Sequence, residues 1–237
     1  MSRLHDAIVW LNDPLNWQGP QGVPHLTLEH LEITGAAVGL GALVALPLAL
    51  WLGHTGRGGG FTVVLGNVSR AVPTLALLVI FATTRIGFGD RATIFALALF
   101  AVPPLLTNAY VGVREVDRDI IEAARGMGMG PLSVLTRVEL PLAVPLVAAG
   151  FRTAVVQVIA TATLAAYVGG GGLGVIINNG FGEQDQGQYI AGGFLVALLA
   201  VLAELLLAVL QRRVTPGRAR RRVRRANVGS ADAVAVP

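Results

Sequence analysis

The sequence predicts an all-α, polytopic membrane protein with about five transmembrane helices. Hydrophobic residues make up 54% of the 237 residues and charged residues only 14%, which is far from the average of a soluble domain. A membrane span needs about 20 mostly apolar residues to cross roughly 30 Å of hydrocarbon. The lipid interior holds no water that could hydrogen-bond to backbone N–H and C=O groups, so we expect these spans to be helices, which satisfy those groups internally. Five windows qualify, namely 28–52, 61–84, 91–113, 145–167 and 189–211.

The arginine distribution predicts the orientation of these spans, because cytoplasmic loops retain positive charge during insertion. One side has Arg57, the four arginines between the third and fourth windows, and eight arginines after the last window. The other side has only Arg3, Arg85 and Arg91. We therefore expect the N-terminus outside and the C-terminus in the cytoplasm.

Three regions follow from this topology. Residues 1–27 are expected to form an extracytoplasmic segment without a cleaved signal peptide, with Trp10 and Trp17 at the membrane interface. Residues 28–211 form the membrane domain. Residues 212–237 form a basic tail, expected to be disordered past Asn227 and able to bind anionic lipid headgroups. The positive-inside pattern already explains the tail, so we expect no nucleic-acid partner.

Missing residue types exclude several kinds of chemistry. The chain has no cysteine, which removes disulfides, thiolate metal sites and cysteine nucleophiles. It has no lysine either, and a Walker-type phosphate loop requires one to reach the terminal phosphates. The histidines show no paired spacing of metal ligands; they are His5, His25, His30 and His54. We expect no catalytic residue, no metal site and no bound cofactor in this chain.

The loop 114–141 between the third and fourth windows carries helix signals. Asp117 is a suitable N-cap, and Gly126 or Gly128 can end a first short helix in a left-handed conformation. Pro131 suits the start of a second short helix, which we expect to run to Val138 and to be stopped by Leu140-Pro141. Ala123 and Ala124 would leave one side of the first helix thin enough for a partner's groove. The alternative is an ordinary loop helix that stabilises the bundle.

A spaced motif in this loop resembles the EAA loop of ATP-binding-cassette (ABC) importer permeases. The matching residues are Glu122, Ala123, Ala124, Gly128, Leu140 and Pro141, with Val138 where the pattern has isoleucine. The resemblance implies a type I, MetI-like permease fold in a bacterial inner membrane, in which the loop forms a cytoplasmic coupling helix. It also implies that this helix docks on a separate ABC ATPase dimer, so that ATP and magnesium bind to the partner and not to this chain.

Other stretches resemble the glycine betaine, carnitine and choline permeases, over roughly residues 27–211. They are 69–78, 124–128 and 165–174. This resemblance implies an osmoprotectant importer with an extracytoplasmic solute-binding protein and a second permease subunit, either a copy or a paralogue. Importers of methionine, a sulfonate or phosphate remain alternatives. An ATP-independent secondary transporter is a further alternative, although no internal repeat or intramembrane carboxylate pattern indicates one.

Polar residues within the apolar windows are candidates for the translocation path, because polar groups in lipid are costly. They are Asn108, Gln157, Thr161 and Thr163. The alternative is hydrogen bonding between packed helices. Arg70, Arg152 and Glu204 are candidates for an inner gate or a structural ion pair. The run Gly169–Gly172, followed by Leu173-Gly174, predicts a tight re-entrant turn that permits close helix approach.

Overall fold

The computed structural model describes residues 3–60, 62, 64, 66 and 72–215, and in these ranges the secondary structure is entirely helical. Short helical turns, Pro14–Trp17, Leu135–Glu139 and Thr163–Val168, link the α-helices. The α-helices are α1 (Arg3–Asn12), α2 (Val23–Thr55), α3 (Thr74–Ala82), α4 (Asp90–Arg114), α5 (Arg118–Gly126), α6 (Pro131–Val134), α7 (Leu140–Ala162), α8 (Gly174–Gly182) and α9 (Gln186–Val214).

In the described ranges, four helical stretches are long and apolar enough to cross a membrane. They are Val23–Thr55, Asp90–Arg114, Pro131–Val168 and Gln186–Val214. Each contains one predicted window, and the observed helices extend beyond the windows by between one residue and, at Pro131, fourteen residues. The predicted window 61–84 lies partly outside the described residues, which show its C-terminal part as α3. The tail from residue 216 onward also lies outside them.

Local chemistry explains where the longest helix begins and ends. Gly22 is the extended N-cap residue of α2, and Pro24 occupies the first turn, where its missing N–H costs no helical bond. Gly56 adopts a left-handed conformation with φ of 71° and ends the helix. The membrane helix therefore starts at Val23, five residues before the predicted window.

The core of the bundle lies between α2, α4 and α7, and α2 packs most extensively against α4. Small residues dominate the contact and let the helix axes approach closely. At Gly150 of α7, an added Cβ would lie 2.7 Å from the Cβ of Asn108 in α4. The fully or nearly fully buried side chains include Ala37, Ala45, Ala49, Leu97, Ala101, Leu105, Leu106, Ala109, Ala154, Val158 and Ala162.

Helix α9 lies at the periphery of the bundle. Only 6% of its most apolar stretch is buried, compared with 44% for α2. The N-terminal helix α1 packs along α9, and the backbone at Gly187 comes so close that an added Cβ would lie 2.7 Å from the carbonyl oxygen of Asp6. The N-terminal segment is therefore part of the folded bundle.

The expectation that Leu140-Pro141 stops the second short helix is wrong. The chain continues as a helix from Pro131 to Val168. A π turn, Leu135–Glu139, replaces ordinary helical bonding just before the proline, and the N–H of Leu140 donates to the carbonyl of Leu135, five residues back. Pro141 then falls in the first turn of α7, where its missing N–H is tolerated.

Candidate functional site

Helix α5 is a capped helix at the end of the bundle where α2 and α4 finish. The backbone N–H of Asp119 donates to the side chain of Asp117 at 3.0 Å, as expected for an N-cap. At the other end, the N–H groups of Met127, Gly128 and Met129 donate to carbonyls of α5. Gly128 has φ of +84°, the left-handed conformation that glycine adopts without strain. The predicted first helix and its two ends are present.

The motif residues of α5 divide between two faces. Glu122 and Ala123 are exposed, and Glu122 forms no salt bridge within the described part of the chain. Ala124 is only 2% exposed, so it faces the protein and does not share a thin outer side with Ala123 as expected. The reason is geometric, since successive helical residues point about 100° apart.

Large apolar side chains on α5 and just after it are exposed. Met127 is 77% exposed and Leu132 is 73% exposed, and Ile120 is nearly half exposed. We call the exposed residues Ile120, Glu122, Ala123, Met127 and Leu132 the loop surface, since all five belong to α5 or follow it by no more than six residues. Several large exposed apolar side chains close together in sequence, with a charged residue among them, are typical of a segment that contacts another protein.

The other two motif residues, Leu140 and Pro141, begin α7 and follow a buried carboxylate. Glu139 is 3% exposed, and its Oε2 lies 2.6 Å from Nδ1 of His54 in the last turn of α2. Such a short contact is typical of a charge-assisted hydrogen bond. It ties the end of the loop to a helix 85 residues away in the sequence.

The predicted path residues are partly buried in the helices α4 and α7 and in the turn that follows α7. Most bond to their own helix: Asn108 Nδ2 donates to Pro104 O at 2.8 Å, Thr161 Oγ1 to Gln157 O at 2.8 Å, and Thr163 Oγ1 to Ala160 O at 2.9 Å. Among the described residues, interhelical bonding, the alternative role, is therefore not seen for these three. The amide of Gln157 bonds to no described residue.

Two of the three predicted gate residues meet between α7 and α9. Arg152 Nε lies 3.3 Å from Glu204 Oε1, and both side chains are partly exposed. Pro145 O in α7 also accepts a hydrogen bond from Gln211 Nε2 in α9, at 3.2 Å. The ion pair thus joins the peripheral helix to the core, whereas a gating role stays a prediction. Arg70 lies outside the described residues.

At the opposite end of the bundle, the glycine run folds into a turn whose backbone donors meet side-chain acceptors. The N–H of Gly171 donates to Asp90 Oδ1 at 2.9 Å, and that of Gly172 donates to Glu29 Oε2 at 2.8 Å. Carboxylates from α4 and α2 thereby satisfy donors that the turn leaves unpaired. The predicted close approach is also present, because a Cβ on Gly174 would overlap the backbone of Thr163.

His30 completes this end of the bundle and is fully buried. Its Nδ1 accepts from the N–H of Leu173 at 3.3 Å, so the ring proton lies on Nε2, which donates to Ile159 O at 2.9 Å. A neutral imidazole therefore bridges α7 and the glycine turn. In the described ranges, no three of the His, Asp and Glu side chains converge on a possible metal site.

Sequence reasoning missed the polar contacts at both ends of the bundle. They involve Glu29, His30, His54, Asp90 and Glu139. A signal existed for Glu139, which stands between apolar neighbours in a helical segment, and a buried carboxylate needs a partner. No pattern in a single sequence identifies that partner.

Comparisons with known proteins agree with the helical membrane fold and with the resemblance of the loop to those of importer permeases. Residues 37–216 match the family described as binding-protein-dependent transport system inner membrane component. The chain is 41% identical over 191 residues to the choline transport system permease protein OpuBB of Bacillus subtilis, covering 80% of this chain and 87% of that protein. It is 39% identical over 190 residues to the carnitine transport permease protein OpuCB of Listeria monocytogenes, with the same coverages.

Solved structures share the fold. The methionine ABC transporter MetNI in an inward-facing conformation superposes with a TM-score of 0.70 at 24% identity, covering 86% of this chain and 99% of that one. An amino acid ABC transporter gives a TM-score of 0.65 at 18% identity, with coverages of 90% and 99%. With the family match over residues 37–216, these findings show that the chain belongs to the binding-protein-dependent transport system inner membrane components.

Proposed function

We propose that this chain is the membrane-spanning permease subunit of an ATP-driven importer for osmoprotectants of the quaternary-amine class, such as glycine betaine, choline and carnitine. The relatives named above support the substrate class, since they are permeases for choline and carnitine. An extracytoplasmic binding protein delivers the solute, and a second permease subunit completes the pathway. The N-terminus lies outside and the C-terminus lies in the cytoplasm.

The loop surface is the observation that carries the proposal. It combines an ordered helix, an exposed carboxylate and exposed apolar side chains on a segment that connects two membrane helices. A cleft on a cytoplasmic ATPase subunit would bury Met127 and Leu132 and pair Glu122 with a basic residue. The permease itself then needs no nucleotide and no metal, and ATP hydrolysis occurs on the separate chain.

The partly exposed polar side of α7 supports a path along this helix. Thr153, Gln157 and Ala160 follow one another at helical spacing, and each is at least partly exposed. The unpaired amide of Gln157 would face solvent in the pathway, where it can bond to water or solute. We assign Gln157 to the path with Thr161, Thr163 and Asn108 beside it.

Uptake into proteoliposomes tests the proposal. The permease is reconstituted with its ATPase and binding protein, and uptake of labelled glycine betaine, choline and carnitine is compared with that of methionine, a sulfonate and phosphate. We expect uptake of at least one quaternary amine that requires both ATP and the binding protein. Uptake of only the comparison solutes would contradict the substrate class, and uptake without ATP would contradict the transport class.

Gly128→Trp provides an internal control for coupling. Its side chain would strain a left-handed residue and obstruct the loop surface between α5 and α6. We expect this variant to remain in the membrane but to lose ATP-driven uptake, whereas Gly128→Ala, which adds only a methyl group where no atom lies within 4 Å, should retain part of it.

A further inference from the structure

The last turn of α2 holds both ends of the loop that carries α5. Gly53 lies against α4 one residue before that helix ends, since an added Cβ would lie 2.8 Å from Val113 Cβ. The next residue, His54, contacts Glu139 at 2.6 Å, where the loop ends. Two neighbouring residues of α2 therefore contact the chain just before the loop begins and just before it ends.

The π turn positions one of these contacts. Its bond from Leu140 N–H to Leu135 O spans one residue more than an α-helical bond. An extra residue rotates the following side chains by about 100° around the helix axis relative to those before it. Leu132, on the loop surface, and Glu139, buried against His54, therefore belong to one continuous helical stretch that changes face between them.

The burial of Glu139 distinguishes this contact from an ordinary surface pair. The carboxylate is 3% exposed and His54 is 16% exposed, whereas the Arg152–Glu204 pair is a third or more exposed on both sides. A buried carboxylate cannot turn to water when its partner moves, so the two groups have to move together. The contact is thus a stiff connection between the loop and α2, and α2 in turn packs along α4 and α7.

We infer that His54 and Glu139 are positioning residues that transmit the movement of α5 to α2, so that closure of the ATPase subunits reaches the membrane core through this contact. The inference rests on the proposed function and deepens it. Without the contact, α5 can still dock on the ATPase, but the loop bends at the π turn and the displacement is lost before it reaches α2. ATP hydrolysis then continues with less solute imported.

The test measures solute imported per ATP hydrolysed in proteoliposomes that contain the complete complex. We expect His54→Ala and Glu139→Ala each to lower this ratio about fivefold or more. The double variant should fall no lower than the worse single variant, because the two residues act as one unit. Thr55→Ala is the matched control in the same turn: its exposed hydroxyl bonds only to the α2 backbone, so the ratio should stay at the wild-type value.

A merely stabilising role gives a different result. Uptake and ATP hydrolysis would then fall together as less complex assembles, and the ratio would not change. Should the alanine variants fail to assemble, the same ratio is measured for the double variant His54→Leu/Glu139→Leu. An apolar pair of similar volume generally preserves stability. An assembled double-leucine complex with the wild-type ratio would overturn the inference. Absence of ATP-driven uptake by the wild-type complex would instead refute the proposed function itself.

Discussion

At the scale of single residues, a few polar groups and glycines hold the ends of this bundle together. Glu29, His30 and Asp90 accept backbone hydrogen bonds from the glycine turn at one end, and Glu139 contacts His54 at the other. Between them the helix contacts are largely alanine and leucine. Glycines allow the closest approaches, because a side chain there would overlap a neighbouring backbone.

Gly174→Ala should destabilise the protein. The added methyl group would overlap the backbone of Thr163, which cannot move aside as a side-chain end can. Overpacking of this kind costs about 1–3 kcal/mol, and thermal unfolding in detergent micelles measures it as a lower midpoint. Gly182→Ala in the same helix is the control, since no atom lies within 4 Å of its added Cβ. Equal midpoints for the two variants would contradict the close contact.

At the scale of elements, the loop segment works as a short capped helix attached to a long one. Helix α5 is nine residues long and depends on its caps, because isolated helices of that length are marginal in water. The stretch from Pro131 to Val168 is continuous, so its exposed beginning and its buried part belong to one helical segment. The π turn is the point in this stretch where the hydrogen-bond pattern changes.

Asp117→Ala should weaken docking of the ATPase subunit. Loss of the N-cap costs about 0.5–2 kcal/mol of helix stability, which corresponds to roughly two- to thirtyfold weaker binding if α5 must be ordered to dock. Asp117→Asn keeps an equivalent cap and should bind like the wild type. Titration of the ATPase against the permease in nanodiscs measures both. Wild-type affinity for Asp117→Ala would show that the cap does not support docking.

At the scale of the whole molecule, the exposed sides of the bundle helices differ in polarity. Helix α9 exposes a row of leucines and valines that suits contact with lipid, whereas the partly exposed side of α7 carries Thr153 and Gln157. A single chain would leave these polar groups facing lipid, which is costly. A second permease subunit facing α7 would enclose them in a water-filled path, as the proposed function requires.

Most of the fold was predictable from apolar runs and from the spaced motif in the loop. The windows 28–52, 91–113, 145–167 and 189–211 all lie inside observed helices. The resemblance to ABC importer permeases is confirmed by the family match. The Asp117 cap and the α5 helix were predictable too, because capping depends on neighbouring residues.

The remaining features depend on contacts that are distant in sequence. The π turn that lets the helix continue past Pro141 has no residue signature of its own, so the proline indicated a stop. Glu139 and His54 are 85 residues apart, and Glu29 and Gly172 are 143 apart. Amphipathic periodicity shows which side of a helix is buried but not which distant residue it meets. Only the structure shows which of these distant residues are partners.

The central claim is that the loop surface lies in the cytoplasm and docks on a separate ATPase. Met127 is exposed, and the chain has no cysteine, so a cysteine introduced at this position is the only thiol in the protein. Its labelling with a membrane-impermeant maleimide tests this claim directly. The account predicts labelling in inside-out vesicles, protection when the ATPase is bound, and no labelling in sealed right-side-out vesicles. Labelling of Met127→Cys from the outside, or equal labelling with and without bound ATPase, would contradict it.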